Sequence, residues 1–262
     1  MRTAGQFVAW SMESFEAFQK EANATTQHGK LVDVGTTIEG NHVYLNFEFT
    51  TGDASGQNMV TIATQAVCDY IKNSCPVPIQ QLYVEGNLSG DKKASSQAYT
   101  SVRGRKVTAE VVLTPALLDK YVHATPRQLI DYWRMSAIGG VLSGTMGVQG
   151  HFANGLAALY IATGQDAAGV AESAMGVTRF EETPEGNLYA SVTLPGVMVG
   201  TVGGGTGLPS QKACLNLMGL HGSGNSTALA EVCAGLLLGG ELSIIAALAT
   251  GDFTKAHHKL AR

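Results

Sequence analysis

The chain has 262 residues, 45% of them hydrophobic and 15% charged, a balance that suits a well-buried globular protein of one large or two modest domains and excludes a disordered one. Its formal net charge is -4 and no run of lysine and arginine is present, so neither nucleic acid nor an anionic lipid surface is an expected partner. Cys68, Cys75, Cys214 and Cys233 form no CxxC pair, and the opening MRTAGQFVAW lacks the apolar core of a signal peptide; a cytoplasmic protein without disulfides or a metal site is expected.

In chain order, residues 6–9 fit a short strand, and Ser11 is placed as the N-cap of a helix on which Phe15, Phe18 and Ala22 recur at helical spacing. Residues 30–38 and 42–49 read as strands joined by Glu39-Gly40-Asn41, the second with Val43, Leu45, Phe47 and Phe49 at period two, which makes a hairpin. Met59, Ile62, Ala63, Ala66, Val67, Tyr70 and Ile71 then form a helical stripe, and residues 81–84 follow Pro76 and Pro78 as a last strand. The order βαββαβ predicts a ferredoxin-like small domain over residues 1–85, with one sheet backed by two helices. No repeat or linker separates it from residues 86–262, so the expected class is α+β: the small domain joined to a larger, helix-rich α/β domain.

The larger part predicts strands over 106–113, 188–194 and 197–202, and helices over 115–122, 151–163 and 228–249, with Gly239-Gly240 as a break point in the last. That last stretch approaches membrane-spanning length but contains Glu231 and Glu241, and an acidic side chain costs about 2.5–3.5 kcal/mol near a bilayer centre. It reads as buried helix, with no membrane segment expected. Most of the 32 glycines fall after residue 135, where close backbone approach is implied.

Several segments carry chemistry-bearing residues. TGDASGQNM sets Asp53, Ser55 and Gly56 before the helical stripe, as an ordinary cap or as amides open to a phosphate or ribose. GTVGGGTG, residues 200–207, is a tight loop or a ligand loop, and neither segment is the GxGxxG fingerprint of a Rossmann fold. GNLSGDKKASS places Asp91 beside Lys92 and Lys93, a solvated turn or a lysine suited to a developing oxyanion. HFANGLAALYIATGQDAAG carries His151, Asn154 and Asp166; Asn154 reads as a cap, and Asp166 is a carboxylate in an apolar setting where burial would shift its pKa. His257 and His258 end the chain as exposed polar residues or as proton donors near neutral pH.

Taken in order, TGDASGQNM, GNLSGDKKASS, HFANGLAALYIATGQDAAG, LPGVMVGTVGGGTGLPSQ, GGELSIIAALATG and KAHHK resemble the motifs of 3-hydroxy-3-methylglutaryl-coenzyme A (HMG-CoA) reductase, in that family's order and at about its spacing. The match covers essentially the whole chain and is nearest the class found in eukaryotes, archaea and some bacteria. The resemblance implies reduction of HMG-CoA to mevalonate and coenzyme A with two NADPH, in a homodimer or higher homo-oligomer. It implies that Lys92 stabilises the oxyanion, Asp166 tunes that lysine and His257 protonates the coenzyme A thiolate, with His258 a bystander. It further implies that Asn87, Asp91, Lys93, Arg134 and Asn154 bind the HMG group or order the site, and that His151 lies near coenzyme A.

By the same resemblance the small domain binds the dinucleotide through the TGDASGQNM segment, with Asp53, Ser55, Gly56, Gln57 and Asn58, while Gly203, Gly204 and Gly205 lie by the nicotinamide. Thr26, Gln27 and His28 stand where many relatives have a serine and an arginine that grasp the 2′-phosphate. Gln27 removes that cation, which weakens NADPH relative to NADH unless His28 or Lys30 compensates. Arg134 stands where the family usually has lysine, keeping charge with altered geometry. The family's catalytic glutamate, in a Thr-Glu-Gly segment, would precede Met1. Its absence motivates the alternative of a catalytically impaired relative that serves as a coenzyme A-binding or subunit-interaction module.

Overall fold

The computed structural model describes Arg2–Leu260, except for the side chains at positions 256, 257, 259 and 260. It divides into two compact units, Met1–Asp91 and Lys92–Arg262.

In the small unit, helices α1 (Arg2–Glu13) and α2 (Phe15–Asn23) precede the antiparallel hairpin β1 (Lys30–Glu39) and β2 (His42–Thr50), and α3 (Gln57–Ser74) follows. The hairpin runs in register from Glu39↔His42 to Lys30↔Thr50 with one irregularity between Leu31 and Asp33. Phe18, Ala22, Leu31, Ala63, Val67 and Ile71 form the buried core. Rings close around it: Trp10 stacks on Tyr70 at 6.4 Å, and Phe18 meets Phe47 edge-on at 6.0 Å. Such ring pairs contribute about 0.5–1.5 kcal/mol beyond the area they bury.

Two expected strands of this unit do not form, and of the strand expected over 197–202 in the large unit only Val197 lies in a strand, at the end of Leu188–Val197. Residues 6–9 lie within α1, because Phe7 and Trp10, three apart, extend the helical spacing upstream and bring their rings within 6.0 Å. Ser11 is accordingly no N-cap: it is fully buried inside α1 and donates back to the Phe7 carbonyl at 2.8 Å. Residues 81–84 have no regular structure. The first and fourth strands of a βαββαβ sheet pair with one another, so a helical 6–9 leaves 81–84 without a partner. The result is a mixed α/β arrangement with small antiparallel sheets, two-stranded in this unit.

The large unit contains α4 (Gln97–Thr100), β3 (Arg105–Leu113), α5 (Pro115–Tyr121), α6 (Pro126–Ser143) and α7 (Phe152–Thr163). A 3-10 turn at Ala167–Gly169 leads into α8 (Val170–Ser173), then β4 (Val177–Glu182) and β5 (Leu188–Val197). After a second 3-10 turn, Gly204–Gly207, come α9 (Pro209–Leu217), α10 (Ser226–Thr250) and α11 (Asp252–Leu260). The sheet is antiparallel in the order β3-β5-β4. β5 is buried along most of its length, as a central strand covered by helices must be.

Thr114 caps α5 and Thr125 caps α6, each followed by proline in the first turn; Thr125 and Gln128 close a reciprocal capping box. α10 packs through Leu229, Cys233, Leu237 and Ile245 into an aliphatic core with Leu129, Phe152, Leu156, Val192 and Leu194. It runs unbroken through Gly239-Gly240, since packing on both sides outweighs the roughly 1 kcal/mol that a helical glycine costs. The four cysteines are free thiols, and burial pushes the Cys233 thiol up to about 12.

Candidate active site

Lys92 and Asp166 meet in the large unit, Nζ to Oδ2 at 3.0 Å, with both side chains partly exposed. Lys92 holds a left-handed backbone, φ 58°, which costs an ordinary L-residue roughly 1–2 kcal/mol and bends the loop so that the ammonium faces the carboxylate. Asp166 follows the end of α7 and caps the 3-10 turn after it, accepting from the Ala168 amide at 2.9 Å. The hydrogen bond from Lys92 is the main cause holding the Asp166 carboxyl below its usual range; partial burial opposes it and the Ala168 amide assists. The sequence-based expectation is a shift of this pKa by burial; the bound cation outweighs desolvation and sets its direction downward.

The glycine-rich loop lies against the same turn. An added Cβ on Gly164 would fall 2.4 Å from the backbone of Gly205, and one on Gly205 would fall 2.7 Å from the Gly164 carbonyl oxygen. Only two glycines permit this approach. Gln165, between Gly164 and Asp166, reaches Gly200 at the start of the loop: its Oε1 accepts from the Gly200 amide at 2.8 Å and its Nε2 donates to the Gly200 carbonyl at 2.9 Å. Thr206 donates to the Gly203 carbonyl at 2.6 Å and closes the loop on itself. Lys92, Asp166 and the 200–207 segment thus share one corner of the large unit.

At the other end of α7, His151 and its neighbour depend on Glu241, an acid of the GGELSIIAALATG motif to which the sequence alone attaches no role. Glu241, fully buried on α10, accepts from the amides of Gly150 at 3.0 Å and His151 at 2.7 Å and from the Thr178 hydroxyl at 2.7 Å. A carboxylate there also complements the positive end of α7, whose N-cap position offers no side-chain cap of its own. Gly240 lies under the imidazole, leaving no room for a Cβ beside the ring, 1.9 Å from Cε1. The signal was an acid inside an otherwise apolar helix. Asn154 sits exposed in the first turn of α7 and caps nothing; His151 holds the N-cap position.

In the small unit, two expected nucleotide segments come together. The Thr26 hydroxyl lies 3.1 Å from the Met59 sulfur and accepts from the His28 amide at 3.1 Å, so the Thr26–His28 turn abuts the first turn of α3. Asp53, Ser55 and Gly56 precede that turn, Gly56 in a left-handed conformation at φ 76° with no side-chain cap on the helix. The Gln57 carboxamide nitrogen is buried there without a hydrogen-bond partner, and Asn58 is exposed. A helix end with free amides and an unused buried donor has the equipment to receive an anionic or hydroxyl-rich ligand.

The remaining expected residues are more dispersed. Asn87, exposed and left-handed at φ 62°, has its amide bound by the Glu85 carboxylate. Asp91 accompanies it in the small unit; Lys93 follows Lys92 and is exposed. Arg134 is exposed on α6, 3.6 Å from Asp131, and lines a shallow cleft with Arg127, Ile130 and Glu182. His257 lies on α11 with its side chain outside the described residues. Among the described residues no group of three or more His, Cys, Asp or Glu is placed to hold a metal ion.

Known structures share this architecture. A class II 3-hydroxy-3-methylglutaryl-CoA reductase from Streptococcus pneumoniae, described as bound to NADPH in open conformations, matches with a TM-score of 0.68 at 18% identity, over 94% of this chain and 66% of that one. A second structure of the reductase from that organism gives 0.66 at 20% identity, over 89% and 64%. At these identities the likeness defines a fold class. The sequence profile described as hydroxymethylglutaryl-coenzyme A reductase matches residues 1–262, and the chain belongs to that family. Among named relatives, the 3-hydroxy-3-methylglutaryl-coenzyme A reductase of Pyrococcus abyssi is 40% identical over 100% of this chain and 65% of its own length. That of Methanocaldococcus jannaschii is 41% identical over 97% and 64%, and reductase 1 of Oryza sativa subsp. indica 38% over 93% and 47%. The chain thus spans just under two thirds of the length of the archaeal relatives.

Proposed function

We propose that this chain forms the nicotinamide-binding and catalytic portion of an enzyme that reduces HMG-CoA to mevalonate and coenzyme A with two NADPH. The observation that carries the proposal is the Lys92–Asp166 ion pair at 3.0 Å, built from two motifs far apart in the chain and set beside the glycine-rich loop. Hydride addition to a thioester leaves negative charge on oxygen, and a preorganised ammonium stabilises it more in the transition state than in the ground state. Asp166 holds and aims Lys92. The coenzyme A thiolate that departs needs a proton, which is assigned to His257 near neutral pH. Asn87, Asp91, Lys93, Arg134 and Asn154 are assigned to the HMG group and His151 to coenzyme A.

The small domain, residues 1–85, is assigned to the dinucleotide and residues 86–262 to HMG-CoA. NADPH, when bound, supplies the hydride. Thr26, Gln27 and His28 together with Asp53, Ser55, Gly56, Gln57 and Asn58 hold its nucleotide half, and Gly203, Gly204 and Gly205 face the nicotinamide. The meeting of the first two segments at the end of α3, with the buried Gln57 donor, supports this reading. Gln27 brings no charge to a 2′-phosphate, so the phosphate falls to His28 and Lys30, and NADH is the alternative reductant. The hairpin and α3 correspond to the middle of a ferredoxin-like βαββαβ domain. A cytoplasmic homodimer or higher homo-oligomer is the proposed working form.

The test is to mix the purified chain with HMG-CoA and NADPH and to follow nucleotide oxidation and thiol release together. Both ligands are expected to bind, and two NADPH are consumed per coenzyme A released. Asp166→Asn should keep both ligands and lower turnover by about 10²–10³-fold. A folded chain that binds neither ligand, or an Asp166→Asn variant with unaltered turnover, rejects the proposal.

A further inference from the structure

One side chain between the ion pair and the glycine-rich loop has no part in the chemistry above. Gln165 follows the left-handed C-cap Gly164 and precedes Asp166, and its backbone amide is bound to the Tyr160 carbonyl at 2.9 Å. Its carboxamide both accepts from and donates to Gly200, at 2.8 and 2.9 Å, and donates again to the Thr163 carbonyl at 3.0 Å. Such a two-way exchange with one residue's backbone reproduces the pairing of a neighbouring strand. It does so three residues beyond Val197, where β5 has ended. No other natural side chain offers that acceptor and both donors at this length: glutamate lacks the donors, leucine lacks all three, and asparagine is one methylene short.

We infer that Gln165 is a positioning residue, which fixes the 200–207 loop relative to the Lys92–Asp166 pair and so holds the loop in its nicotinamide-binding arrangement. The inference rests on the nicotinamide role proposed for that loop. The loop is built for such control. Gly203 and Gly204 are both at positive φ, 74° and 54°, and glycine leaves this backbone many alternatives once its base is released. The Gly164 and Gly205 contact limits how closely the two segments approach, but offers no directional bond to keep them together. Gln165 supplies that bond.

The experiment compares the intact chain with Gln165→Leu and Gln165→Glu. It reads NADPH affinity by nicotinamide fluorescence, HMG-CoA affinity by calorimetry, and amide hydrogen exchange along the backbone. In Gln165→Leu, a loop that is binding-competent in about one molecule in ten raises the NADPH Kd about tenfold. HMG-CoA affinity stays within about twofold, and exchange quickens at residues 200–207 while β3 and β5 stay protected. Gln165→Glu keeps the bond from the Gly200 amide and should fall between the two in exchange. Its added negative charge should also raise the Asp166 titration seen by carboxyl NMR. Equal NADPH affinity in the unaltered chain and Gln165→Leu overturns the inference, as does equal weakening of both ligands without a local change in exchange, the mark of a merely structural side chain. If the unaltered chain binds no nucleotide, the functional reading fails by itself. Exchange at 200–207 then still judges the tether: rates that Gln165→Leu leaves unaltered reject it.

Discussion

Rings contributed by neighbouring helices and a hairpin close the core of the small unit, whereas the large unit adds to its larger apolar core polar side chains that join segments far apart in the chain. In the small unit Trp10, Phe18, Phe47 and Tyr70 close over a core a few residues deep. In the large unit Glu241 joins α10 to the start of α7 and to β4, and Gln165 joins the end of α7 to the segment after β5. Truncating a ring removes packed surface and leaves a cavity, whereas removing a buried carboxylate with several donors strands each donor away from water.

Glu241→Ala should therefore give the largest loss, about 3–5 kcal/mol from stranding the Gly150 and His151 amides and the Thr178 hydroxyl, seen in denaturant unfolding of the large unit. The comparison breaks if this variant unfolds at the same denaturant concentration as the unaltered chain. Leu31→Ala, a truncation in the fully buried core of the small unit, should cost about 2–4 kcal/mol. Hydrogen exchange should show its effect in β1, β2 and α3, with β3 and β5 unmoved. An equal response in both units would show that they unfold as one. Thr125→Ala, which opens the capping box of α6, should cost about 1 kcal/mol and fray only the first turn of that helix.

The smallest effect is one of pH. The folded-state pKa of Asp166 lies below its unfolded value, so the native state binds the proton less readily than the unfolded chain. The stabilisation is fully present above the unfolded pKa, at about pH 4, and is lost as pH falls through the lower folded value. Asp166→Asn should therefore melt below the unaltered chain at neutral pH, and the gap should narrow with acid. A gap that is constant across that window would mean that the Lys92 pair contributes no pH-dependent stability.

The same contrast explains what the sequence disclosed. Period two in β2 and the stripe on α3 were legible because each is a local pattern of apolar side chains. The helical character of residues 6–9 was missed because four residues are too few to separate the two periods; Phe7, Trp10, Phe15 and Phe18 taken together carry the signal. α6 went unassigned although Thr125, Pro126 and Gln128 spell its start. The Lys92 and Asp166 motifs were legible as residue types, and the family resemblance joined them, but nothing local shows that their loops meet. Glu241 acts through partners 63 to 91 residues away and Gln165 reaches Gly200, 35 residues away, so neither period nor composition exposes these contacts.

The mutual approach of Gly164 and Gly205 limits how this protein can be redesigned. A chimera that imports the 200–207 loop from a relative must bring the 163–166 turn with it, since neither half tolerates a side chain introduced by the other parent. On the proposed assignment of Thr26, Gln27 and His28 to the nucleotide, libraries aimed at the reductant would vary those three positions, none of which belongs to the Gly164–Gly205 pair.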